Sequence, residues 1–211
     1  MRPALWAIAA ALPLASPPKL LINAQLETRS AASGLDGSFR QWVAAQPLPA
    51  WIGYAVPLVR GSELGCEYVS PDGRSAPGVV HLERPDHVVI LFRVESGAVS
   101  RIRVLSPDCE IDAGGLPVRW LDDVRPAEST ALLQSFATPK SSRPGTRDDG
   151  ERLRESAVYA LSVSEEPSAL DALIVLARKD GNPRIRRRCI AALARSRDPR
   201  AVAFFEDVLN Q

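Results

Sequence analysis

Two histidines, His81 and His87, are the whole imidazole supply of this 211-residue chain, and they limit the catalysis its sequence can support. They lie six residues apart, with Glu83 and Asp86 as the nearest acids. A zinc site made from both histidines and a distant carboxylate would fall short of four structural ligands and would only just reach the three that catalytic sites keep. Both therefore read as ordinary strand or turn residues, and no metal is expected. Paired carboxylates are the other source of acid–base chemistry. Glu110 and Asp112 share one face of an extended segment, Asp122 and Asp123 stand where a helix would open onto its positive end, and Asp148 and Asp149 lie in a polar run. Solvated or capping roles fit their types best. In Gly61–Gly65, GSELG, Ser62 holds the second position and not the third that a nucleophile elbow requires, and neither standard glycine-rich phosphate loop occurs. These residues predict a non-enzymatic protein without a cofactor. The alternative is a small-molecule-binding or lyase-like enzyme that uses the acids and histidines of the strand-rich region. There Trp42, Trp51, Trp120 and Tyr54 would line a ligand groove or, more commonly, a core.

Arginine is plentiful where histidine is scarce. The stretch Asn182–Val202, NPRIRRRCIAALARSRDPRAV, carries Arg184, Arg186, Arg187, Arg188, Arg195, Arg197 and Arg200. Taken alone it suggests phosphate binding, but the whole chain has a net charge of +1, and beyond Lys140 there are 13 basic against 11 acidic residues. Counterion release would drive nucleic-acid binding only weakly at that balance. No nucleic acid is expected.

The first 24 residues open with Arg2 and run through apolar Ala4–Ala15 before Pro17, Pro18 and Lys19. An apolar run of about a dozen residues is too short to span a bilayer and has the layout of a secretory leader. Cleavage after Ala15, Ser16 or Ala24 is expected, and an uncleaved anchor or an apolar helix is the alternative. Export to the periplasm or medium, without membrane insertion once the leader is removed, is the predicted location. An oxidising compartment would allow Cys66 and Cys109 to pair; two free thiols remain the alternative, since spacing does not settle pairing. Cys189 falls on an apolar helical face as a small buried hydrophobe.

These residues require elements to hold them, and the chain changes texture several times. Residues 25–46 read as a flexible polar segment with ASGLDGS at 32–38. Segments rich in valine, isoleucine and aromatics follow at Trp51–Val59, Cys66–Val69, Gly78–Glu83, His87–Ser96, Ala98–Ser106, Cys109–Asp112 and Pro117–Leu121. Six or seven strands in so short a stretch predict a small antiparallel β domain over 47–121. Ser96-Gly97 marks a hairpin and Ala113-Gly114-Gly115 a second short pair. Helical spacing predicts a connecting helix over 122–137, and two prolines and two glycines mark a linker over 138–150.

Beyond the linker the chain repeats. Residues Arg152–Arg178 align on Arg184–Asn210 at a constant offset of 32, placing Arg154 on Arg186, Ala160 on Ala192, Leu161 on Leu193 and Pro167 on Pro199. Each unit is a helix, a proline-centred turn and a second helix, and a fixed period of this size marks a helical solenoid. The better-kept copy, with Asn182-Pro183, Ile185-Arg186, Ala192-Leu193 and Asp198-Pro199, resembles a HEAT-type repeat of the variety found in phycobilin-lyase-like proteins. The first copy carries Leu153-Arg154 and Glu166-Pro167 at the same places. The resemblance implies an α+β chain whose last part, 151–211 in units 151–178 and 183–211, is a short solenoid of helix pairs. It implies structural roles for Arg154, Arg186, Pro167, Pro199 and Asp198, the arginines tying neighbouring units through acids and carbonyls. It also implies an unidentified protein partner, met by the second helices, with Asp171, Arg178, Glu206 and Asp207 on the exposed side. Phe204, Phe205 and Leu209 close the last unit without a polar cap, so self-association through that end is a further expectation.

Overall fold

Alternating valine, isoleucine and aromatic residues build the centre of the fold. The computed structural model describes residues 16–62, 64–66, 85–138 and 147–210, with side chains left undescribed at 147–149. Strands β1 (Leu21–Ile22), β2 (Gln25–Ser30), β3 (Ala50–Pro57), β4 (His87–Glu95), β5 (Ala98–Leu105), β6 (Ile111–Asp112) and β7 (Pro117–Asp122) alternate with helix α1 (Leu35–Ala45). Five of them form one sheet in the order β2-β7-β3-β4-β5, and β1 pairs with β6 beside it.

The sheet is mixed, where an antiparallel one was expected. β3, β4 and β5 form an antiparallel meander, but β7 runs parallel to both β2 and β3. Ser96 and Gly97 both take positive φ, 51° and 70°, as the tight β4–β5 hairpin requires. The second expected hairpin does not form. After the Ala113–Gly115 turn, β7 enters the sheet between β2 and β3, while β6 pairs with β1, because the parallel slot beside Gln25–Ser30 is open to it.

Residues 25–46 are structured rather than flexible. β2 is an edge strand, and α1 buries Leu35, Phe39 and Trp42 on one stripe against the sheet, an i, i+4, i+7 pattern obscured by the glycine and serine between them. Leu21 and Ile22, within the stretch read as leader, pair with Ile111 and Asp112; cleavage after Ala24 would remove this strand. The expected strand Gly78–Glu83, most of Cys66–Val69, the apolar run 4–15 and most of the linker lie outside the described residues.

Helices α2 (Pro126–Ala137), α3 (Arg147–Val163), α4 (Pro167–Lys179), α5 (Pro183–Arg195) and α6 (Pro199–Leu209) complete the chain. Proline opens α2, α4, α5 and α6 at the first turn, where its missing N–H would be unbonded in any case. Asp122 and Asp123 do not open α2: Asp122 ends β7, Asp123 takes φ 59° in the turn, and Arg125 is the capping position. The last helical region also begins earlier than expected, since α3 starts at Arg147.

Two expected domains share one core. On the inner face of the sheet, Ile52, Tyr54, Val88, Ile90, Phe92 and Leu121 join Leu132 and Leu133 of α2, then Ala157 and Leu161 of α3, and on to Phe204 in a single cluster. Backbone bonds cross the same boundary: Val59 donates to the Val163 carbonyl (2.8 Å), and Glu165 donates to that of Pro57 (2.8 Å). The outer face has its own small cluster of Ala55, Val89, Leu91, Leu105, Cys109 and Trp120. It closes over Gly53, where a Cβ would collide with the Leu91 side chain and come within 3.2 Å of Trp120.

Candidate functional site

The joint between repeat units is built around one buried acid. Asp180 follows the last turn of α4, and only 1% of its side chain is exposed. Its carboxylate forms an ion pair with the Arg154 guanidinium and accepts a hydrogen bond from the Asn182 N–H (2.8 Å), while its carbonyl accepts from Arg186 Nη1 (2.7 Å). Arg154 Nε also donates to the Ala137 carbonyl at the end of α2 (2.8 Å). One arginine thus ties three segments: α2, α3 and the α4–α5 turn. A buried charge is tolerable only with such complete pairing. Arg154 and Arg186 sit at the expected joint; Asp180, the acid that both engage, does not stand out in the sequence. Its position two residues before the Asn-Pro helix entry is the one signal there.

Capping follows the proline turns. The Asn182 side chain accepts from Arg184 N–H and that of Asp198 from Arg200 N–H, both at 2.9 Å. Pro167 and Pro199 open the two second helices. Arg200 also holds the Asp198 carboxylate, lowering its pKa, through bonds of 3.1 and 2.9 Å.

The residues expected on the recognition face are tied to the neighbouring helix. Arg200 Nη1 reaches Asp171 Oδ1 at 2.7 Å, and Arg178 Nη1 reaches Asp207 Oδ2 at 2.5 Å, each pair joining α4 to α6. Arg178 also lies over the Phe204 ring, 5.1 Å from its centroid. Glu206 is exposed on α6. The second helices also leave apolar side chains open: Val175 is 53% exposed and Val202 56%. The arginine-rich stretch follows the same pattern on the first helices. Arg188 pairs with Glu155 at 2.6 Å and Arg184 approaches Glu151 at 3.6 Å, joining α5 to α3.

Of the candidates in the sheet region, Trp51, Glu110 and Asp112 line one cavity on the outer face. His87 Nδ1 lies 2.5 Å from Asp86 Oδ1, and that contact lowers the Asp86 pKa; His81 and Glu83 lie outside the described residues. Asp112 Oδ1 accepts from Asn23 Nδ2 (3.1 Å) and Gly114 N–H (2.8 Å), which makes it a turn residue. Burial raises the Asp122 pKa, and Asp123 is held by Ser30 Oγ at 2.5 Å. Among the described residues, no three histidine, cysteine or acidic side chains are grouped to hold a metal ion. Tyr54 and Trp120 are fully buried, Trp42 nearly so, and Trp51 is half-buried with Arg93 5.6 Å from its ring centroid. The Tyr54 hydroxyl accepts from Ser129 Oγ at 3.0 Å, and burial raises its pKa. Cys66 and Cys109 form a disulfide with Cα atoms 5.4 Å apart. Cys189 is free and buried, its thiol pushed up to about 12, chiefly by burial and then by the Asp180 charge.

The period, the paired helices and the Arg–Asp joint define a short α-solenoid attached to a mixed sheet. The family model for HEAT repeats matches residues 143–211, so the C-terminal part of the chain is a HEAT-like repeat region. No match emerges among curated proteins or among solved structures. No helix among the described residues is long and apolar enough to cross a membrane.

Proposed function

We propose that this chain is an exported, non-enzymatic scaffold that binds a partner protein through its HEAT-like repeat region. The observation that carries the reading is the repeat pair itself, since HEAT repeats generally mediate contacts between proteins. Residues Val175 and Val202, apolar and more than half exposed on the second helices, are the contact points a partner would cover. They would add to Asp171, Arg178, Glu206 and Asp207, which are exposed on the same two helices. Export to the periplasm or medium is supported by the charge-then-apolar order of the first residues and by a disulfide that suits an oxidising compartment.

Photo-crosslinking tests this reading in cells. A crosslinker at position 175 or 202 should yield one discrete adduct with another protein of the cell envelope, and one at Glu27 on the far edge strand should not. Adducts absent from both repeat positions would contradict it. Adducts with a second copy of the chain would instead establish self-association through the last two helices, where Ile190, Val202 and Leu209 are exposed and Phe204 is buried.

A small-molecule-binding or lyase-like role is the second reading. A cavity of about 390 Å³ on the outer face, lined by Trp51, Leu91, Leu105, Glu110 and Asp112, favours it. Ligand-induced quenching of Trp51 fluorescence, lost in Trp51→Phe, would support that role; unchanged emission across a metabolite panel would remove its support.

A further inference from the structure

At the 32-residue offset, each position of the last unit has a counterpart in the unit before it, and the two differ in what covers them. In the first unit Val158, Leu173, Leu176 and Ala177 are buried. Helix α5 packs across α3 and α4, and its Ile185, Cys189, Ala192 and Leu193 share one core cluster with those four residues. Their counterparts in the last unit are Ile190, Phe205, Val208 and Leu209. Ile190 is 39% exposed, Val208 48% and Leu209 85%, while Phe205 is half-buried. The last unit thus keeps apolar side chains at the positions that the first unit closes with a helix. Among the described residues, no helix lies over them.

Charge changes sign at the same joint. In the first unit Glu155 of α3 meets Arg188 of α5 at 2.6 Å. The counterpart of Glu155 is Arg187, exposed on α5. Its Nε reaches the Pro183 carbonyl at 3.4 Å, and it has no carboxylate partner among the described residues. A helix seated on the last unit as α5 is seated on the first would bring the residue at its Arg188 place to Arg187. A second copy of α5 would set arginine against arginine there, so head-to-tail addition of the chain to itself is disfavoured, whereas a carboxylate would complete the pair. The ties for a further second helix are also missing. Asp171 and Arg178, which hold Arg200 and Asp207 of α6, correspond to Ala203 and Asn210. The face therefore suits one helix rather than another helix pair.

We infer that this face of the last unit binds an amphipathic helix of a partner protein whose apolar stripe is flanked by carboxylates. The stripe would cover Ile190, Phe205, Val208 and Leu209, and a flanking carboxylate would pair with Arg187. Apolar anchors supply affinity in contacts of this kind, and the charge supplies choice of partner. This deepens the scaffold reading, on which it rests, by naming the chemistry of the partner and placing a contact on the last unit in addition to Val175 and Val202.

The test uses the full chain and three fluorescein-labelled peptides of about 18 residues, or about five helical turns, read by anisotropy at about 50 mM salt. The first carries leucines at helical spacing flanked by glutamates, the second has lysines in place of the glutamates, and the third is the first with prolines at its centre. Wild type should bind the first peptide, and the second and third at least about tenfold more weakly. Arg187→Glu should reverse the preference between the first and second, which a folding defect would not do. Leu209→Asp should weaken the first at least about tenfold. Arg197→Glu should leave it unchanged, since Glu165, the counterpart of Arg197, stays exposed beneath a stacked unit. Far-UV circular dichroism confirms that each variant is folded, and Arg187→Gln serves as a milder second variant. No binding of the first peptide to wild type, equal binding of the second or third, or an unaltered preference in Arg187→Glu would each overturn the inference. So would a wild-type dimer in sedimentation that Leu209→Asp dissolves, because a second copy would then occupy the face. Crosslinking from positions 175 and 202 separates the two readings: adducts there with no peptide binding overturn the helix site alone, and their absence overturns the scaffold reading itself.

Discussion

The sheet packs its interior with large rings, and the repeats pack theirs with alanine. On the inner sheet face Tyr54 and Phe92 lie 5.7 Å apart and Phe39 meets Phe92 edge-on at 4.9 Å, while on the outer face Trp120 closes over Gly53. In α3 to α6 the buried positions include Ala157, Ala160, Ala169, Ala172, Ala177, Ala192 and Ala201. Small residues let helices approach closely but bury little area each, and the repeat region adds arginine–carboxylate joints at Arg154–Asp180, Arg188–Glu155, Arg178–Asp207 and Arg200–Asp171. Damage to the sheet should therefore act through cavities, and damage to the repeats through unpaired charge.

Phe92→Ala should show the largest effect of the first kind. Its ring is fully buried among three other aromatic rings, and its removal should lower stability by about 3–5 kcal/mol in chemical denaturation. A loss under about 1 kcal/mol would show the sheet core to be far looser than its packing. The matching repeat experiment is a double-mutant cycle at Arg154 and Asp180. Asp180→Ala alone should cost about 3 kcal/mol, because it strands the buried guanidinium, and the double variant Arg154→Met/Asp180→Ala should cost less than the sum of the singles. Strict additivity would sever the joint drawn above.

Alkaline pH exposes a third difference. The Cys189 pKa rises from 9.0 in the unfolded chain to about 12 when folded, so the folded state holds its proton more tightly. That contribution is complete below pH 9 and is lost as pH rises toward 12. At pH 10 the loss relative to pH 8 amounts to about 1 kcal/mol. Comparing the pH 8 to pH 10 change in wild type and Cys189→Ala should isolate it; equal slopes would mean the thiol reaches water. Arg178→Met should matter least, at most about 1 kcal/mol, because its pair with Asp207 is solvent-exposed.

The same contrast explains what can be read in the sequence. Repeat units are local and copied, so the offset of 32 residues by itself marks the helices, the prolines and the arginine pair Arg154 and Arg186. Strand neighbours are not encoded locally. Nothing in Pro117–Asp122 says that it lies parallel to both Gln25–Ser30 and Ala50–Pro57, so an antiparallel sheet was expected and a mixed one is found. Helix α1 escapes a reading of the pattern because Gly37 and Ser38 break up the stripe of Leu35, Phe39 and Trp42. Charged residues on the second helices are legible as exposed but not as paired: Asp171 and Arg200 lie 29 positions apart, as do Arg178 and Asp207, a spacing that only stacked helices bring together.

A core shared by sheet and repeats is the central claim, and tryptophan placement makes it directly measurable. Every tryptophan lies at or before position 120, whereas the longest helical stretch lies beyond it. In urea unfolding, tryptophan emission therefore reports the sheet, and ellipticity at 222 nm chiefly the repeats. One shared core predicts a single midpoint and slope for both probes. Two separated transitions, with the helical signal lost while tryptophan emission stays native, would contradict it.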